Sequence, residues 1–289
     1  MHEMANILNR PYGSIRSRAQ QLLTMGKFGF LSPDECETRV AASRDRRTER
    51  LQAKAESLIT NMPNTKDMGY VIGVLYGDGF VNFHDIERGV PKTIGLTTTN
   101  ESFRDAFTDA IEVWRGKNTV KRVRRTVPEV KTPGGAVYHN VVYYDALLHD
   151  RHLTAKLLLI TGPTQTDVWK INVKDAVQRG PAFCDGIIQG LFDSDASFSP
   201  QTDGIGVDAL FGTVSEDGAN SLCELMKFRG YDVRLGFNQK PDRKRFHRIR
   251  IRGAESWLRY AEDIGSRVDY KAKFLLDFTQ RRRQHALGG

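Results

Sequence analysis

Two apolar stretches of this chain carry the same stripe of small residues. Gly69, Gly73 and Gly77 recur as Gly186, Gly190 and Ser194, each counterpart lying 117 positions later, from 69 to 186, 73 to 190 and 77 to 194. Spacing of four puts each set on one face of a helix. Glycine inside a helix costs about 0.5–1 kcal/mol relative to alanine, so five of them in two helices require a compensating contact. Close packing of the two helices is that contact, because a stripe without side chains lets the main chains nearly touch. The chain is therefore expected to fold around a pair of helices drawn from two related halves.

Both stretches end in carboxylates. "GYVIGVLYGDGF" closes on Asp78, and "GIIQGLFDSDASFS" carries Asp193 and Asp195. If the helices pack side by side, Asp78 and Asp195 meet across a pseudo-dyad at the two C-terminal ends. There the negative end of each helix adds to the repulsion between the carboxylates. A divalent cation relieves both, and oxygen-only coordination of this kind suits Mg²⁺ completed by water and phosphate oxygens. "DSDAS" does not open a calcium loop, since the sixth position is Phe198 where glycine is needed and the twelfth is Gly204 where glutamate is needed.

The rest of the chain repeats in register with these stretches. Helix 69 to 80, the strand "KTIGLTTT", the helix "NESFRDAFTDAIEVWRG", the strands "NTVKRVRRTV" and "AVYHNVVYYDAL" and the helix "RHLTAKLLLI" form a first unit. Helix 183 to 194, "GVDALFGTV", "EDGANSLCELMKFRG", "YDVRLGFNQ", "RFHRIRIRG" and two closing helices repeat that order. Helices with antiparallel strands in matching order predict an α+β fold of two pseudo-symmetric αββαββα repeats, over 66–170 and 171–289. Residues 1–30 read as two short helices around an Asn-Arg-Pro turn, a helix-turn-helix-like segment whose Arg16 and Arg18 suit DNA; an amphipathic helical hairpin with a solvated basic face is the alternative. Residues 31–65 read as a charged helical linker.

Composition sets the surroundings. The 289 residues include 39% hydrophobic and 27% charged, as in a soluble globular protein, and no apolar run approaches the roughly 20 residues of a membrane span. Three widely spaced cysteines, Cys36, Cys184 and Cys223, form neither a disulfide framework nor a zinc clip. A cytoplasmic, organellar or nucleoid location is expected, without secretion or membrane. The net charge of +8 favours a polyanionic partner.

"VIGVLYGDG" (71–79) and "IQGLFDSDA" (188–196) resemble the two signature copies of the single-chain LAGLIDADG homing endonucleases. The resemblance covers about 66 to 283, roughly three quarters of the chain. It implies that Asp78 and Asp195 bind the catalytic metal, with Gly77 and Ser194 beside them in the same centre. Mn²⁺ is expected to substitute for Mg²⁺, and Ca²⁺ to bind without cleavage. Tyr76 and Asp193 stand at the earlier acidic position of the signature, which makes Asp193 a helix-end or interface group. Thr98, Thr99 and Ser215 stand where longer polar or basic side chains are usual, and Lys271 or Arg267 is expected to supply a catalytic cation.

Strand alternation places Arg122, Arg124 and Thr126 on one face, and Arg248, Arg250 and Arg252 on another. Three cations along a strand face fit a polyanion. Lys240, Arg243 and Lys244 in the hairpin between the last two strands join them, with Asn238, Gln239 and Gln201 as candidates for base edges. The expectation is a monomeric, intron-encoded, Mg²⁺-dependent nuclease acting on double-stranded DNA of about 20 base pairs or more. By the resemblance it leaves 3′-hydroxyl and 5′-phosphate ends with a short 3′ overhang. A non-cleaving transcription regulator on the same scaffold, or a maturase binding intron RNA, is the alternative.

Overall fold

The computed structural model describes residues 63–85, 90–132, 135–162, 164, 167–200, 207–239 and 244–288. The chain divides into two units, Met1–Ser57 and Leu58–Gly289, and everything described belongs to the second. At its centre lie the two small-residue helices. Helix α1 spans Lys66–Tyr76, opened by Thr65, whose side chain accepts from the Met68 N–H. Every residue of it from Met68 to Tyr76 is buried.

In the first repeat, β1 (Gly79–Asp85), β2 (Val90–Thr98), α2 (Glu101–Arg115), β3 (Lys121–Lys131), β4 (Val137–Leu148) and α3 (Arg151–Thr161) follow α1. Helix α4 (Val173–Arg179) leads to α5 (Pro181–Asp195), which starts the second repeat. Gly180, at φ +103, reaches a backbone conformation that suits glycine and hands over to Pro181 at the first turn. Then come β5 (Ala196–Pro200), β6 (Val207–Thr213), α6 (Glu216–Phe228), β7 (Val233–Asn238), β8 (Phe246–Ile251) and α7 (Ala254–Arg259). A π-helical turn, Tyr260–Ile264, and α8 (Asp269–Gly288) close the chain.

Each repeat builds one four-stranded antiparallel sheet, ordered β1-β2-β4-β3 in the first and β5-β6-β8-β7 in the second. The expected α+β architecture of two αββαββα repeats is therefore present. One boundary differs: α1 stops at Tyr76, and by Gly79 the chain is already in β1. Gly77 leaves helical geometry there, while its N–H still bonds to Gly73 and Val74.

α1 and α5 pack along the small-residue stripe. A Cβ on Gly69 would lie 2.1 Å from the Phe183 carbonyl oxygen, and one on Gly73 2.3 Å from that of Ile187. From the other side, a Cβ on Gly186 would meet Lys66 O at 2.1 Å and one on Gly190 would meet Tyr70 O at 2.3 Å. Nothing larger than hydrogen fits at these four positions. One face of each sheet then closes over this pair. Ile94, Leu96, Ala146 and Leu148 face inward with Phe103, Phe107 and Ile111 of α2, and Phe211, Ile249 and Ile251 do so with Leu222, Leu225 and Met226 of α6. Among the described residues no helix is long and apolar enough to cross a membrane.

Candidate active site

The helix crossing brings the signature ends together. A Cβ at Gly77 would lie 2.4 Å from Ser194 Cβ and 3.0 Å from Asp195 Oδ2, so the Asp195 carboxylate rests against the end of the opposite helix. Ser194 turns its hydroxyl back onto Gly190 O at 2.9 Å. Asp78 and Asp195 both reach solvent, yet the protein around them removes enough water to raise both carboxyl pKa values. Asp195 is pushed up to about 7, first by this desolvation and then by the charge of Asp78. Mutual repulsion across the pseudo-dyad is thus a property of the folded chain.

Lys271, from α8, is buried beneath the pair. Its Nζ donates to Phe192 O at 2.8 Å and Asp193 O at 2.7 Å, which satisfies carbonyls at the end of α5 and opposes its negative potential. The same ammonium lowers the pKa of both aspartates, while burial lowers its own. Arg267, the other candidate cation, is engaged elsewhere: its Nε donates to Gln189 at 2.8 Å, its Nη1 to Asp67 at 2.7 Å, and it lies over the Tyr70 ring.

Asp193 faces away from the pair. It accepts from Tyr70 Oη at 3.0 Å, from Ser266 Oγ, and from the Arg267 N–H at 3.0 Å, tying α1, α5 and the segment before α8 together. Its counterpart Tyr76 instead donates to Thr161 O at 3.1 Å. Ser215 caps α6 by accepting from Gly218 N and donates to Trp169 O, so it serves the fold rather than the open face. Thr98 likewise accepts from Asn100 N.

The first sheet corrects the expected face. Arg122 points to the helix side, where its guanidinium pairs with Asp109 and Glu112 of α2 at 3.2 Å each. By alternation Arg124 and Thr126 share that side; Arg124 is paired across the strands with Tyr144, whose ring lies against Arg104 of α2. The acidic outer edge of α2 explains the reversal, since Asp109 and Glu112 pair with Arg122 on the face expected to meet a polyanion. Facing the other way are Val123, Arg125 and Val127, with Thr97 and Asp145. Asp145 accepts from Arg125 Nε at 2.8 Å and Thr97 Oγ1 at 2.7 Å. Arg125 was visible in the same alternation, one residue out of phase; the Asp145 contact spans two strands and left no local signal.

In the second sheet Arg248 and Arg250 do lie opposite the buried Ile249 and Ile251, as alternation requires, and Arg252 follows beyond the strand end. Arg234 is paired with Arg250 on the same face and extends the set. The Asn238 amide, with Oδ1 turned toward Arg248, accepts from its Nη2 at 2.8 Å and Nη1 at 3.0 Å. Lys244 is exposed and paired with Asp167, and Gln239 accepts from Arg245 at 3.2 Å. Arg16, Arg18, Gln201, Lys240 and Arg243 lie outside the described residues.

No protein-family model matches the chain, and no curated protein sequence is significantly similar to it. Solved structures are similar in fold. The homing endonuclease I-WcaI bound to its DNA recognition sequence has a TM-score of 0.50 at 10% identity, over 73% of this chain and 88% of that one. I-DmoI in complex with DNA and Mn gives 0.45 at 10% identity, over 70% and 97%. Full-length WhiA from Thermatoga maritima gives 0.44 at 12% identity, over 81% and 66%. The two repeats with their paired sheets have the LAGLIDADG homing endonuclease fold.

Proposed function

We propose that this chain is a monomeric, site-specific, double-strand DNA endonuclease. One observation carries the proposal: Asp78 and Asp195 converge where two glycine-striped helices cross, with a four-stranded sheet in each repeat. The fold it shares with I-WcaI, a homing endonuclease bound to its DNA recognition sequence, supports it.

The residues present fit a hard divalent cation. The donors are carboxylate oxygens that repel each other when the site holds only protein, and no group of three or more histidine, cysteine or acidic side chains completes a cage among the described residues. Two carboxylates leave the remaining positions to water and to phosphate oxygens, as Mg²⁺ prefers. A cation held by Asp78 and Asp195, beside Gly77 and Ser194, would supply Lewis-acid charge at the scissile phosphate and lower the pKa of bound water. Lys271 keeps the end of α5 in place and holds a positive charge beneath the carboxylates. The two open sheet faces take the duplex in its major groove, one half-site of about one helical turn each. Asp78 serves mainly one strand and Asp195 the other, which gives a double-strand break.

Incubating the protein with Mg²⁺ and the DNA that flanks its own reading frame tests the proposal. Cleavage of both strands at one position is expected, and Asp78→Asn or Asp195→Asn should abolish it while binding persists. Sequence-specific binding without cutting in any divalent cation would replace the nuclease with a DNA-binding regulator.

A further inference from the structure

The two open sheet faces differ in chemistry. In the second sheet Arg234 and Arg250 are direct partners across β7 and β8, Arg248 lies two residues along on the same face beside a single aromatic ring, Phe246, and Arg252 follows. Asn238, at the far end of β7, holds the Arg248 guanidinium through its amide oxygen. In the first sheet the central guanidinium, Arg125, is held by Asp145 and lies over the Tyr143 ring at 4.8 Å. Around it are Val123 and Val127, with Val141 opposite Val127, and Lys121 toward the strand end.

Base edges answer these surfaces differently. A guanidinium reads guanine through O6 and N7 with two parallel hydrogen bonds, whereas aliphatic and aromatic side chains favour the thymine methyl group. Asp145 spends both carboxylate oxygens on Thr97 and Arg125, so it holds this surface rather than reading cytosine.

We propose, on the basis of the DNA-cleavage function inferred above, that the two halves of the target are read unequally. The half under the second sheet is selected for guanines by Arg234, Arg248 and Arg250. The half under the first sheet is selected by apolar contact with thymine methyls around Val123, Val127 and Tyr143, with a single arginine, Arg125, for guanine.

The test is selection from a library of randomised duplexes by the full chain, without divalent cation so that nothing is cut. The enriched sequences should share one asymmetric motif with guanine concentrated in one half. Arg250→Ala should erase guanine preference at one or two positions of that half, each a loss of about 5- to 150-fold in discrimination, and leave the other half unchanged. Arg234→Ala, on the exposed neighbouring strand, repeats the measurement in case the first variant folds poorly. Val127→Thr should alter preference only in the other half. Equal guanine content in both halves overturns the inference. So does an Arg250→Ala variant that weakens every sequence alike, which is the signature of a phosphate contact. If no duplex is enriched at all, the DNA-binding function fails as well, and that outcome is distinct from both.

Discussion

The first and second repeats share their helices far more closely than their sheets. Along α1 and α5 the small residues hold the same positions 117 residues apart, and a Cβ on any of Gly69, Gly73, Gly186 or Gly190 would run into the partner helix's carbonyl oxygen. On the open sheet faces, one repeat holds the Arg125–Asp145 pair and the other holds Arg234, Arg248 and Arg250. The helices have no freedom because main chain meets main chain, and no side-chain adjustment relieves such a clash. The sheet faces look outward, where side chains change without disturbing the core. Under the proposed function, the contrast separates the part of the molecule that positions chemistry from the part that selects a partner.

The largest expected effect tests the symmetry of the two helix ends that carry Asp78 and Asp195. Asp78→Asn and Asp195→Asn should each abolish double-strand cleavage while affinity for DNA is kept or raised, since a negative charge facing phosphate is removed. Full cutting by either single variant in Mg²⁺ would falsify the assignment. Next come the stripes: Gly73→Leu and Gly190→Leu should destabilise the fold by about 3 kcal/mol or more, and by similar amounts, as read by denaturant unfolding. A variant that melts like its parent would show that the helices do not meet.

The signature positions 76 and 193 should respond unequally. Asp193→Ala strands Tyr70 Oη, Ser266 Oγ and the Arg267 N–H, at a cost of about 2–4 kcal/mol, whereas Tyr76→Phe forfeits a single bond to Thr161 at about 1 kcal/mol. Equal losses would mean that Asp193 does not organise the three segments. A pH dependence reports on the paired carboxylates. Because the folded pKa of Asp195 is about 7 against 3.8 in the unfolded chain, the folded state retains a proton that the unfolded state has released. Without divalent cation, the melting temperature should therefore fall as pH rises from about 4 to about 7. Asp195→Asn should flatten that slope, and Mg²⁺ should raise the melting temperature most above pH 7. The smallest effect concerns Arg122. Arg122→Ala should cost about 0.5 kcal/mol through its ion pairs with α2 and leave base preference unchanged, in contrast to Arg250→Ala.

Much of the architecture was legible in the chain itself. Helices announced themselves by apolar periodicity, and the order of elements followed from the repeat. Strands β1 and β5 were not individually legible, because each begins within three residues of a helix end, inside the stretch read as a signature copy. At the site, the candidate carboxylates were legible and so was a cation from α8. That Lys271 donates to the carbonyls of residues 192 and 193 was not, since the contact spans 78 or more positions and depends on where α8 docks.

The face of the first sheet shows where reading along the chain ends. Alternation states which residues of β3 share a side, and that much is local geometry. Whether that side meets helix or solvent depends on α2, whose Asp109 and Glu112 capture Arg122 only after the sheet has packed on it. The sequence by itself determined the two repeats, the glycine contact and the meeting of Asp78 with Asp195. These follow from covalent spacing and from the one residue small enough to allow the approach. Only the tertiary structure decided which arginines face outward, what Asp193 holds and how Lys271 is buried, because a charge is placed by partners that are distant in sequence.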